Sequence, residues 1–420
     1  MSADNQGKTF HFLYATREKY PTYRVDLTEL FSAGLIKKGH AVDWHMQSAE
    51  ASSFKTLQLN NRERLFLGGA LKGKGVWVKL ANRCLGLWHD IRLFRMARKG
   101  IYDFVQVRDN VFAGYVVALA LKGRGTPFYY WMSFPFPEAD LFRSADKEID
   151  LSTLKRVFYR MRGRLLHWLL YRHVLPHADH IFVQSEQMAK QLEAKGISQI
   201  HMTPVPMGIN LDQLDNAQLP QLSNTNWQTK TALVYMGTMV RVRRIEFLIQ
   251  MLSLVRKTIP EAILVLVGGA PESDMQRLRD EARRLDLQDY VIFTGFVPME
   301  EAWAYIKAAA VCLSPFRPSP ILDVASPTKV IEYMALRRPV VANKNLDQAK
   351  VLSESGAGQA VEYSPEAFAN EVIHILEDTD GLDGKLEAGY EYVRRHRSYA
   401  ALSQQLEDKY RDLLAANIIA

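Results

Sequence analysis

Short apolar runs alternate with amphipathic segments along the first half of the chain. The apolar runs predict strands at Phe10–Ala15, after Gly39-His40, and at Tyr102–Val107, Pro127–Met132 and His180–Gln184. The amphipathic segments predict helices at about Val25–Lys38, at about Asn110–Leu121 and after Asp150. Strands that alternate with helices favour a parallel sheet with helices on both faces. The first half is therefore predicted to be an α/β domain, residues 1–210.

The same alternation returns after a polar, Asn- and Gln-rich stretch at residues 211–230, which we predict to be a linker. Strands are predicted at Ala232–Met236, Ala262–Val267, Val291–Thr294 and Val311–Ser314, with helices between them and a further helix after Pro327. We therefore predict a second Rossmann-like domain, residues 231–396. The closing segment, residues 397–420, has a helical pattern and can cross back onto the first domain.

Composition limits the class of protein. The chain has 420 residues, of which 48% are hydrophobic and 24% charged, as in an ordinary globular protein. Its two cysteines, Cys84 and Cys312, lack the spacing of a thiolate zinc site. The longest uncharged apolar run, Val111–Leu121, is too short to cross a bilayer, which takes about 20 residues. No secretory signal is expected at the amino terminus, so we predict a cytoplasmic protein.

The most informative motif begins at Ser326-Pro327, which predicts a helix start with proline at the first helical position. The free backbone amides of Thr328 and its neighbours, beside the cation of Lys329, suit a diphosphate. Glu332 lies one turn further on, where a carboxylate can accept two vicinal hydroxyls such as those of a ribose. The alternative is an ordinary capped helix with an exposed glutamate.

This run, SPTKVIEYMALRRPVVA, resembles the donor-site helix of the GT-B glycosyltransferases of retaining family 4, particularly the enzymes of bacterial exopolysaccharide and lipopolysaccharide assembly. Other segments resemble landmarks of that family in the same order: IFVQSEQMAKQLEAKGI, PVPMGIN, VYMGTMVRVRRIEFLIQML, ILVLVGGAP and FTGFVPMEEAWAYIKAAAVCLSP. The resemblance implies two Rossmann-like domains that face each other across a cleft, with a nucleotide-sugar donor held by the carboxy-terminal one.

The resemblance also implies roles for particular residues. Gly237, in the glycine turn after the first strand of the donor domain, and Arg243 would face the diphosphate. Arg243 and Lys329 would be the catalytic residues, because positive charge stabilises the leaving diphosphate without a metal. Phe296 and Val297 resemble the wall beside the nucleotide base, although a plain strand-end turn explains them equally well. The nucleotide sugar is a substrate, so no cofactor and no metal are expected.

Three positions depart from the family pattern. Val324 stands where the family often has a glutamate, with Asp323 beside it. The stretch Trp131–Glu138 lacks the family's His-Asp pair, and Thr16–Arg24 replaces a glycine-rich loop and can bring Arg17 or Arg24 near a phosphate.

The sequence Asp378-Thr379-Asp380 spells a DxD metal motif but follows a helix rather than a buried strand, so we predict no metal site there.

Basic and aromatic residues are interleaved in the first half, where residues 1–210 hold 30 Lys/Arg against 18 Asp/Glu. Residues 55–99 form a basic, aromatic-rich excursion, and residues 154–175 repeat that mixture at helical spacing. The second segment predicts an interfacial helix on an anionic membrane, with Arg156, Arg160, Arg164 and Trp168 facing the membrane or acceptor. A core-packed helix with a solvated basic face is the alternative.

These observations lead to one main hypothesis and two rivals. The main hypothesis is a glycosyltransferase, peripheral on the inner face of the cytoplasmic membrane, that moves a sugar from a nucleotide-sugar donor to a lipid-linked or glycan acceptor. The first rival is a catalytically silent GT-B scaffold of a polysaccharide assembly complex. The second is a nucleic-acid-binding protein, but no nucleic-acid motif supports it and we expect no such partner.

Overall fold

The computed structural model describes residues 8–22, 24–73, 75–146, 151–222, 230–319 and 321–419. Contacts between Cα atoms divide these residues into two compact units. Unit 1 takes the described residues up to Pro206 together with those from Leu402 onward, and unit 2 takes Met207–Ala401. Each unit is built around one largely parallel sheet.

The strands of unit 1 are β1 His11–Tyr20, β2 Ala41–Ser48, β3 Lys55–Asn60, β4 Glu63–Gly68, β5 Phe104–Arg108, β6 Phe128–Met132, β7 His180–Val183 and β8 Met202–Pro204. They form one sheet in the order β3-β4-β2-β1-β5-β6-β7-β8, in which all neighbours are parallel except β3 and β4. The strands predicted from apolar runs are thereby confirmed. Successive parallel strands explain the alternation with helices, since each parallel connection needs a crossover.

The helices of unit 1 are α1 Val25–Leu27, α2 Val76–Ala97, α3 Val111–Leu121, α4 Phe136–Ala145, α5 Thr153–Leu169, α6 Glu186–Glu193 and, crossing the unit boundary, the C-terminal helix Tyr399–Ile419. Segments with π-helical geometry, Thr28–Leu35 and Leu170–Val174, continue α1 and α5, and 3₁₀ turns lie at Leu175–His177 and Gln199–His201. Asn110 caps α3 by accepting a hydrogen bond from the Ala113 amide, which explains why this helix begins where it was predicted.

The excursion predicted at residues 55–99 is part of the domain architecture. Strands β3 and β4 form an antiparallel hairpin that extends the sheet beyond β2, and Leu65 and Leu67 of β4 are buried. The helix α2 then crosses back toward β5. The basic residues had obscured the apolar alternation of β4, so the sequence pattern alone did not predict this pair of strands.

The strands of unit 2 are β9 Thr231–Met236, β10 Ala262–Val267, β11 Val291–Gly295, β12 Val311–Ser314, β13 Val340–Asn343 and β14 Ala360–Val361. Its helices are α7 Leu211–Asp215, α8 Glu246–Val255, α9 Glu272–Arg284, α10 Met299–Lys307, α11 Thr328–Ala335, α12 Leu346–Ser355, α13 Pro365–Glu377 and α14 Leu382–Tyr392. A 3₁₀ turn at Arg241–Arg243 precedes α8, and a π-helical segment, Val393–Arg397, follows α14.

The sheet of unit 2 is parallel throughout, in the order β11-β10-β9-β12-β13-β14. Alternate residues of β9 point into two different apolar clusters, with Val234 in one and Leu233 in the other. Both faces of the sheet are therefore covered, which is why its strands are continuous apolar runs. The strand order reverses between β9 and β12, and in such sheets ligands bind beyond the carboxyl ends of the strands at this point.

The segment predicted as a linker begins inside unit 2. Leu211 and Leu214 of α7 are buried in the core of that unit, while residues 223–229 of the predicted linker lie outside the described residues. The C-terminal helix belongs to unit 1 from Leu402 onward. There the buried Tyr410 packs against Phe104 and donates a hydrogen bond of 2.6 Å to Gln106 of β5. The last segment of the chain thus completes the core of the first unit.

Candidate functional site

The carboxyl ends of β9, β10 and β11 are joined by backbone hydrogen bonds. The Gly237 amide donates to the Val267 carbonyl at 2.8 Å, and the Gly268 amide donates to the Gly295 carbonyl at 3.0 Å. A Cβ atom on Gly268 would lie 2.3 Å from the Gly237 carbonyl oxygen, so only glycine permits this approach of the two turns. The edge of the sheet therefore presents backbone rather than side chains at this place.

Gly237 also makes room for the predicted cation of α11. It has a φ of +149°, and a Cβ atom there would lie 2.9 Å from Cε of Lys329. The Lys329 ammonium lies 5.5 Å from the centroid of the ring of Tyr235, the second-last residue of strand β9. The structure thus brings Gly237 and Lys329 together although 92 positions separate them in the chain, as the family resemblance implied.

Arg243 lies near the same two side chains. It donates a hydrogen bond to the Tyr235 hydroxyl, which in turn donates to the Thr238 carbonyl at 3.1 Å. Burial lowers the pKa of Lys329 to about 8, and the neighbouring Arg243 guanidinium acts in the same direction. Two cations held close together with little solvent form a site for a strongly negative group such as a diphosphate.

Helix α11 begins one residue later than predicted, with Pro327 as its N-cap and Thr328 as its first residue. The backbone amides of its first turn have no partner within the helix and lie next to the Lys329 cation. This end of the helix is therefore electropositive, as the sequence motif indicated.

Glu332 is partly buried rather than exposed. The Thr328 side chain hydrogen-bonds to its carboxylate, and burial raises the pKa of this carboxyl despite the neighbouring Lys329 ammonium. Its Oε2 atom is buried and has no hydrogen-bond partner in the described part of the chain. A buried acceptor without a donor is costly in free energy and rare in folded proteins, and a ligand hydroxyl can supply the missing donor.

Ser326, the first residue of the predicted donor motif, has a different set of partners. Its hydroxyl accepts hydrogen bonds from the Met207 amide and the Arg397 guanidinium, both at 3.1 Å, and donates to the Asp347 carboxylate at 2.8 Å. A hydroxyl has one donor and two acceptor positions, so all are used within unit 2. The side chain therefore holds neighbouring segments together and has no position left for a donor molecule.

The two residues predicted to face the base differ in placement. The Phe296 side chain is 76% exposed, and a Cβ atom on Gly269 would lie 2.9 Å from its ring, so the ring lies against that glycine. Val297 is partly buried against the core of unit 2. Only Phe296 offers a free aromatic surface on which a base can stack.

The position of the family glutamate holds no available carboxylate. Val324 is 1% exposed, and Asp323 accepts a hydrogen bond from the Ser319 amide at 3.2 Å within the same turn. Among the described residues, no group of three His, Cys, Asp or Glu side chains could hold a metal ion. Asp378 and Asp380 lie in the exposed turn after α13, where Asp378 accepts a hydrogen bond from the Asp380 amide.

The basic helix predicted to face a membrane is α5, and its apolar residues are mostly solvent-exposed. The exposed apolar residues of α5 are Leu154, Val157, Phe158, Met161, Leu165 and Trp168. Helix α2 also has six exposed apolar residues, namely Val76, Trp77, Leu80, Leu87, Trp88 and Ile91. We call these twelve residues the apolar surface of α2 and α5. Arg160 and Arg164 are exposed beside them. The alternative of a helix packed on its apolar side into the core does not agree with this exposure.

Other basic residues are occupied. Arg156 donates to the carbonyl oxygen of Asp146 at 2.5 Å, so it is less available to a membrane than Arg160 and Arg164. Arg24 donates two hydrogen bonds to Asp26, and the Arg17 guanidinium lies 4.0 Å from the centroid of the Phe136 ring. In the described ranges, no helix is both long and apolar enough to cross a membrane.

Three residues of this region, Tyr235, Asp347 and Arg397, were not predicted from the sequence. Tyr235 ends an apolar strand and looks like an ordinary core residue, and its hydroxyl is placed beside Arg243 only by the fold. Arg397 binds Asp347 at 2.6 Å across 50 positions of the chain. No local pattern announces either contact, because the partners come from elements that are distant in sequence.

The class of protein is defined by two α/β units, each built on a largely parallel sheet. The second unit has a cationic, glycine-lined candidate nucleotide site at the carboxyl edge of its sheet. Two family profiles match the chain: "Glycosyltransferase Family 4" over residues 27–213 and "Glycosyl transferases group 1" over residues 230–378. The chain belongs to the GT-B glycosyltransferases of family 4 type.

Similar proteins agree with this assignment. A GDP-mannose-dependent alpha-(1-6)-phosphatidylinositol monomannoside mannosyltransferase of Mycobacterium tuberculosis is 28% identical over 182 residues, 43% of this chain and 47% of that protein. The match thus spans about half the length of the curated relative. Solved structures with the same fold include sucrose-phosphate synthase from Thermosynechococcus elongatus, with a TM-score of 0.65, 18% identity and coverage of 97% of this chain and 100% of that one.

Two further solved structures have the same fold. Anabaena Alr3699/HepE in complex with UDP and glucose has a TM-score of 0.63 and 15% identity, covering 96% of this chain and 100% of that one. WaaG, a glycosyltransferase involved in lipopolysaccharide biosynthesis, has a TM-score of 0.61 and 14% identity, covering 96% and 99%. At these identities the likeness concerns the fold.

Proposed function

We propose that this protein is a retaining glycosyltransferase that moves a sugar from a nucleotide-sugar donor to a lipid-linked or glycan acceptor in cell-surface glycan biosynthesis. One observation carries the proposal: the buried Glu332 Oε2 atom without a hydrogen-bond partner lies on the same short helix as Lys329 and its electropositive start. A nucleoside diphosphate supplies what both lack, hydroxyl donors for the carboxylate and negative charge for the cation.

Arg243, Lys329 and the first amides of α11 are the groups that would act on the leaving diphosphate. When the bond between sugar and phosphate breaks, negative charge grows on the phosphate oxygen, and cations already in place stabilise the transition state. In a retaining transfer on one face of the sugar, that phosphate oxygen can take the acceptor's proton. Such a mechanism needs neither a metal ion nor a protein base, in agreement with the buried Val324.

The acceptor side of the proposal rests on unit 1. The apolar surface of α2 and α5 carries exposed aromatic and aliphatic side chains next to exposed cations such as Arg160 and Arg164. This combination binds the interface of an anionic membrane, with apolar side chains inserted and cations at the headgroups. We propose a location on the inner face of the cytoplasmic membrane, where a lipid-linked acceptor is reached from the same surface.

A two-stage experiment tests the proposal. A panel of nucleoside diphosphates should raise the melting temperature of the protein, since a ligand that binds only the folded state stabilises it by RT ln(1 + [L]/Kd). Radiolabelled nucleotide sugars incubated with the protein and membrane lipid extract should then yield labelled lipid with the anomeric configuration of the donor. The proposal fails if no nucleoside diphosphate stabilises the protein.

A catalytically silent scaffold is the second candidate, because the acid that the family often has is replaced by the buried Val324. A scaffold derived from an enzyme would still bind nucleoside diphosphates. It would neither hydrolyse the nucleotide sugar nor transfer the sugar, so turnover of the donor separates the two candidates.

A further inference from the structure

A surface pocket of about 840 Å³ lies in unit 1, and none of the candidate donor-site residues lines it. It is lined by the carboxyl ends of β1 and β2, the loop that follows β4, and the first turns of α2. Lys19 is the one lining residue from the stretch Thr16–Arg24, in which the sequence had pointed to Arg17 and Arg24 and not to Lys19. The pocket lies beyond the carboxyl ends of the neighbouring parallel strands β1 and β2.

The lining of this pocket is strongly basic. Lys19, Lys72, Lys79 and Arg83 contribute four cations, against the single carboxylate of Glu50. Within the described ranges, none of the four cations forms an ion pair with a carboxylate. Cations around a concave surface that are not neutralised by the protein raise the local concentration of anions.

The walls of the pocket are held in place by hydrogen bonds. The Gln47 side chain donates to the Gly69 carbonyl at 2.5 Å, and Ser52 and Ala70 exchange two backbone hydrogen bonds of 2.8 Å. The Asn82 side chain on α2 accepts from the Leu71 amide at 2.7 Å and donates to the Leu71 carbonyl at 3.1 Å. The loop after β4 is thereby fixed to α2, so a ligand does not have to order it.

Arg83 connects the pocket to the apolar surface of α2 and α5. Arg83 is one of the residues that line the pocket, and its guanidinium lies 5.3 Å from the centroid of the Phe158 ring on α5. Phe158 is one of the exposed apolar residues of α5. On α2, the exposed Leu80 directly follows the pocket residue Lys79 in the sequence. The cationic pocket and the exposed apolar surface therefore meet at the side chain of Arg83.

We propose that this pocket binds the phosphate or diphosphate group of a lipid-anchored acceptor whose hydrocarbon chain lies along the apolar surface of α2 and α5. The inference rests on the proposed function, because it names the part of the acceptor that unit 1 recognises. The planar guanidinium of Arg83 pairs with phosphate oxygens through two hydrogen bonds, and the lysines add point charges. A free phosphate compound shares the headgroup chemistry but lacks the chain.

Isothermal titration with three probes tests the proposal: farnesyl diphosphate, inorganic pyrophosphate and farnesol. The full-length protein should bind farnesyl diphosphate at least tenfold more tightly than either of the others. The variant Lys79→Gln/Arg83→Gln should weaken that binding at least tenfold. The variant Lys72→Gln/Lys79→Gln should also weaken binding of farnesyl diphosphate. This variant keeps the contact between Arg83 and the Phe158 ring intact.

The matched control is Lys122→Gln/Lys190→Gln, which removes the same charge from exposed positions of unit 1 outside the pocket. It should leave the affinity within about twofold of wild type. Equal weakening by the control would show a bulk charge effect and overturn the proposal. Unchanged binding by both pocket variants would also overturn it, as would pyrophosphate binding as tight as that of farnesyl diphosphate.

Nucleoside diphosphate binding, measured on the same proteins, separates this inference from the proposed function. The pocket variants should bind nucleoside diphosphates like wild type, because none of their substitutions touches the candidate donor site. If no protein binds a nucleoside diphosphate, the proposed function fails while the farnesyl diphosphate result still decides on the pocket. If Lys329→Ala weakens farnesyl diphosphate binding and the pocket variants do not, the probe binds at the donor site and the pocket proposal is wrong.

Discussion

At the scale of a single residue, the hydrogen bonding of the Glu332 carboxylate is the feature that points most directly to a ligand. One of its oxygens is hydrogen-bonded by the Thr328 side chain, while Oε2 is buried without a partner among the residues that the structure describes. Glu138 and Glu246, which form ion pairs, also have a buried Oε2 atom without a partner. Glu332 differs from them because it lies near the Lys329 cation on the helix with the electropositive start, and we expect its free oxygen to accept a hydrogen bond from a ligand.

We expect Glu332→Ala to weaken binding of both the nucleoside diphosphate and the corresponding nucleoside by about ten- to two-hundred-fold, because hydrogen bonds to a charged group are worth about 1.5–3 kcal/mol. Calorimetric titration with both ligands measures this. Glu300→Ala, at an exposed position of α10, is the control and should leave both affinities unchanged. Wild-type affinities in Glu332→Ala would remove Glu332 from the site.

Lys329 leads to a prediction about pH. Burial and the neighbouring Arg243 lower its pKa to about 8, so in the free protein its ammonium loses its proton as the pH rises through this value. A diphosphate binds the protonated form. Its affinity should therefore fall by up to about tenfold per pH unit as the pH rises above this value.

The variant Lys329→Arg tests the cause, since a guanidinium stays charged throughout this range. Its diphosphate affinity should show no decrease between pH 8 and pH 9.5, where the wild-type affinity falls. A nucleoside without phosphates should bind wild type with little pH dependence. A decrease of equal size in Lys329→Arg would assign the titration to another group.

At the scale of elements, a buried ion pair holds the start of α11 to two distant segments. Arg397 follows α14 and binds Asp347 of α12, and both contact the Ser326 hydroxyl two residues before the helix begins. The side chains of Arg397 and Asp347 are 5% and 10% exposed. Loss of one partner would leave the other charge buried and unpaired.

Arg397→Ala should therefore lower the free energy of unfolding of unit 2 by about 3–5 kcal/mol, the usual cost of breaking a buried pair. Urea denaturation followed by fluorescence measures this. The exposed pair Arg283–Asp280 on α9 gives the control, and Arg283→Ala should cost no more than about 1 kcal/mol. Similar losses for the two variants would contradict a structural role of the Arg397–Asp347 pair.

Helix α5 gives the second prediction at this scale. Arg160 and Arg164 are exposed, whereas Arg156 is bound to a backbone carbonyl, so the test uses the first two only. Replacing both with glutamine should weaken binding to anionic vesicles by about 30-fold, because each cation near such a surface contributes about 1 kcal/mol. Co-sedimentation with vesicles at several salt concentrations measures this, with Lys122→Gln/Lys190→Gln as the control.

At the scale of the whole molecule, the proposed chemistry depends on protein cations rather than on a metal ion. Transfer activity should survive dialysis against EDTA, since Arg243, Lys329 and the helix amides supply the positive charge at the diphosphate. The measurement is the rate of donor turnover before and after chelation. Loss of turnover that magnesium or manganese restores would show that the assignment of the site is wrong.

The amino-acid sequence by itself predicted most of the elements and the residues of the candidate donor site. Local periodicity predicted the strands β9, β10 and β12, and the Ser-Pro start predicted α11, because these features depend on neighbours a few positions apart. The family motif then indicated Gly237, Lys329 and Glu332 together. Position 237 must be glycine, because a Cβ atom there would lie 2.9 Å from Cε of Lys329. Such a strict requirement for one residue type can be recognised in the sequence.

The tertiary structure alone decided which distant segments share a surface. It turned the basic stretch at residues 55–99 into the β3–β4 hairpin and α2, placed Tyr235 beside Arg243, and joined Arg397 to Asp347. It also brought Lys19 and Arg83 to one pocket. Such contacts arise from the order of strands in a sheet and from the packing of elements far apart in the chain, which local periodicity and residue propensity do not encode.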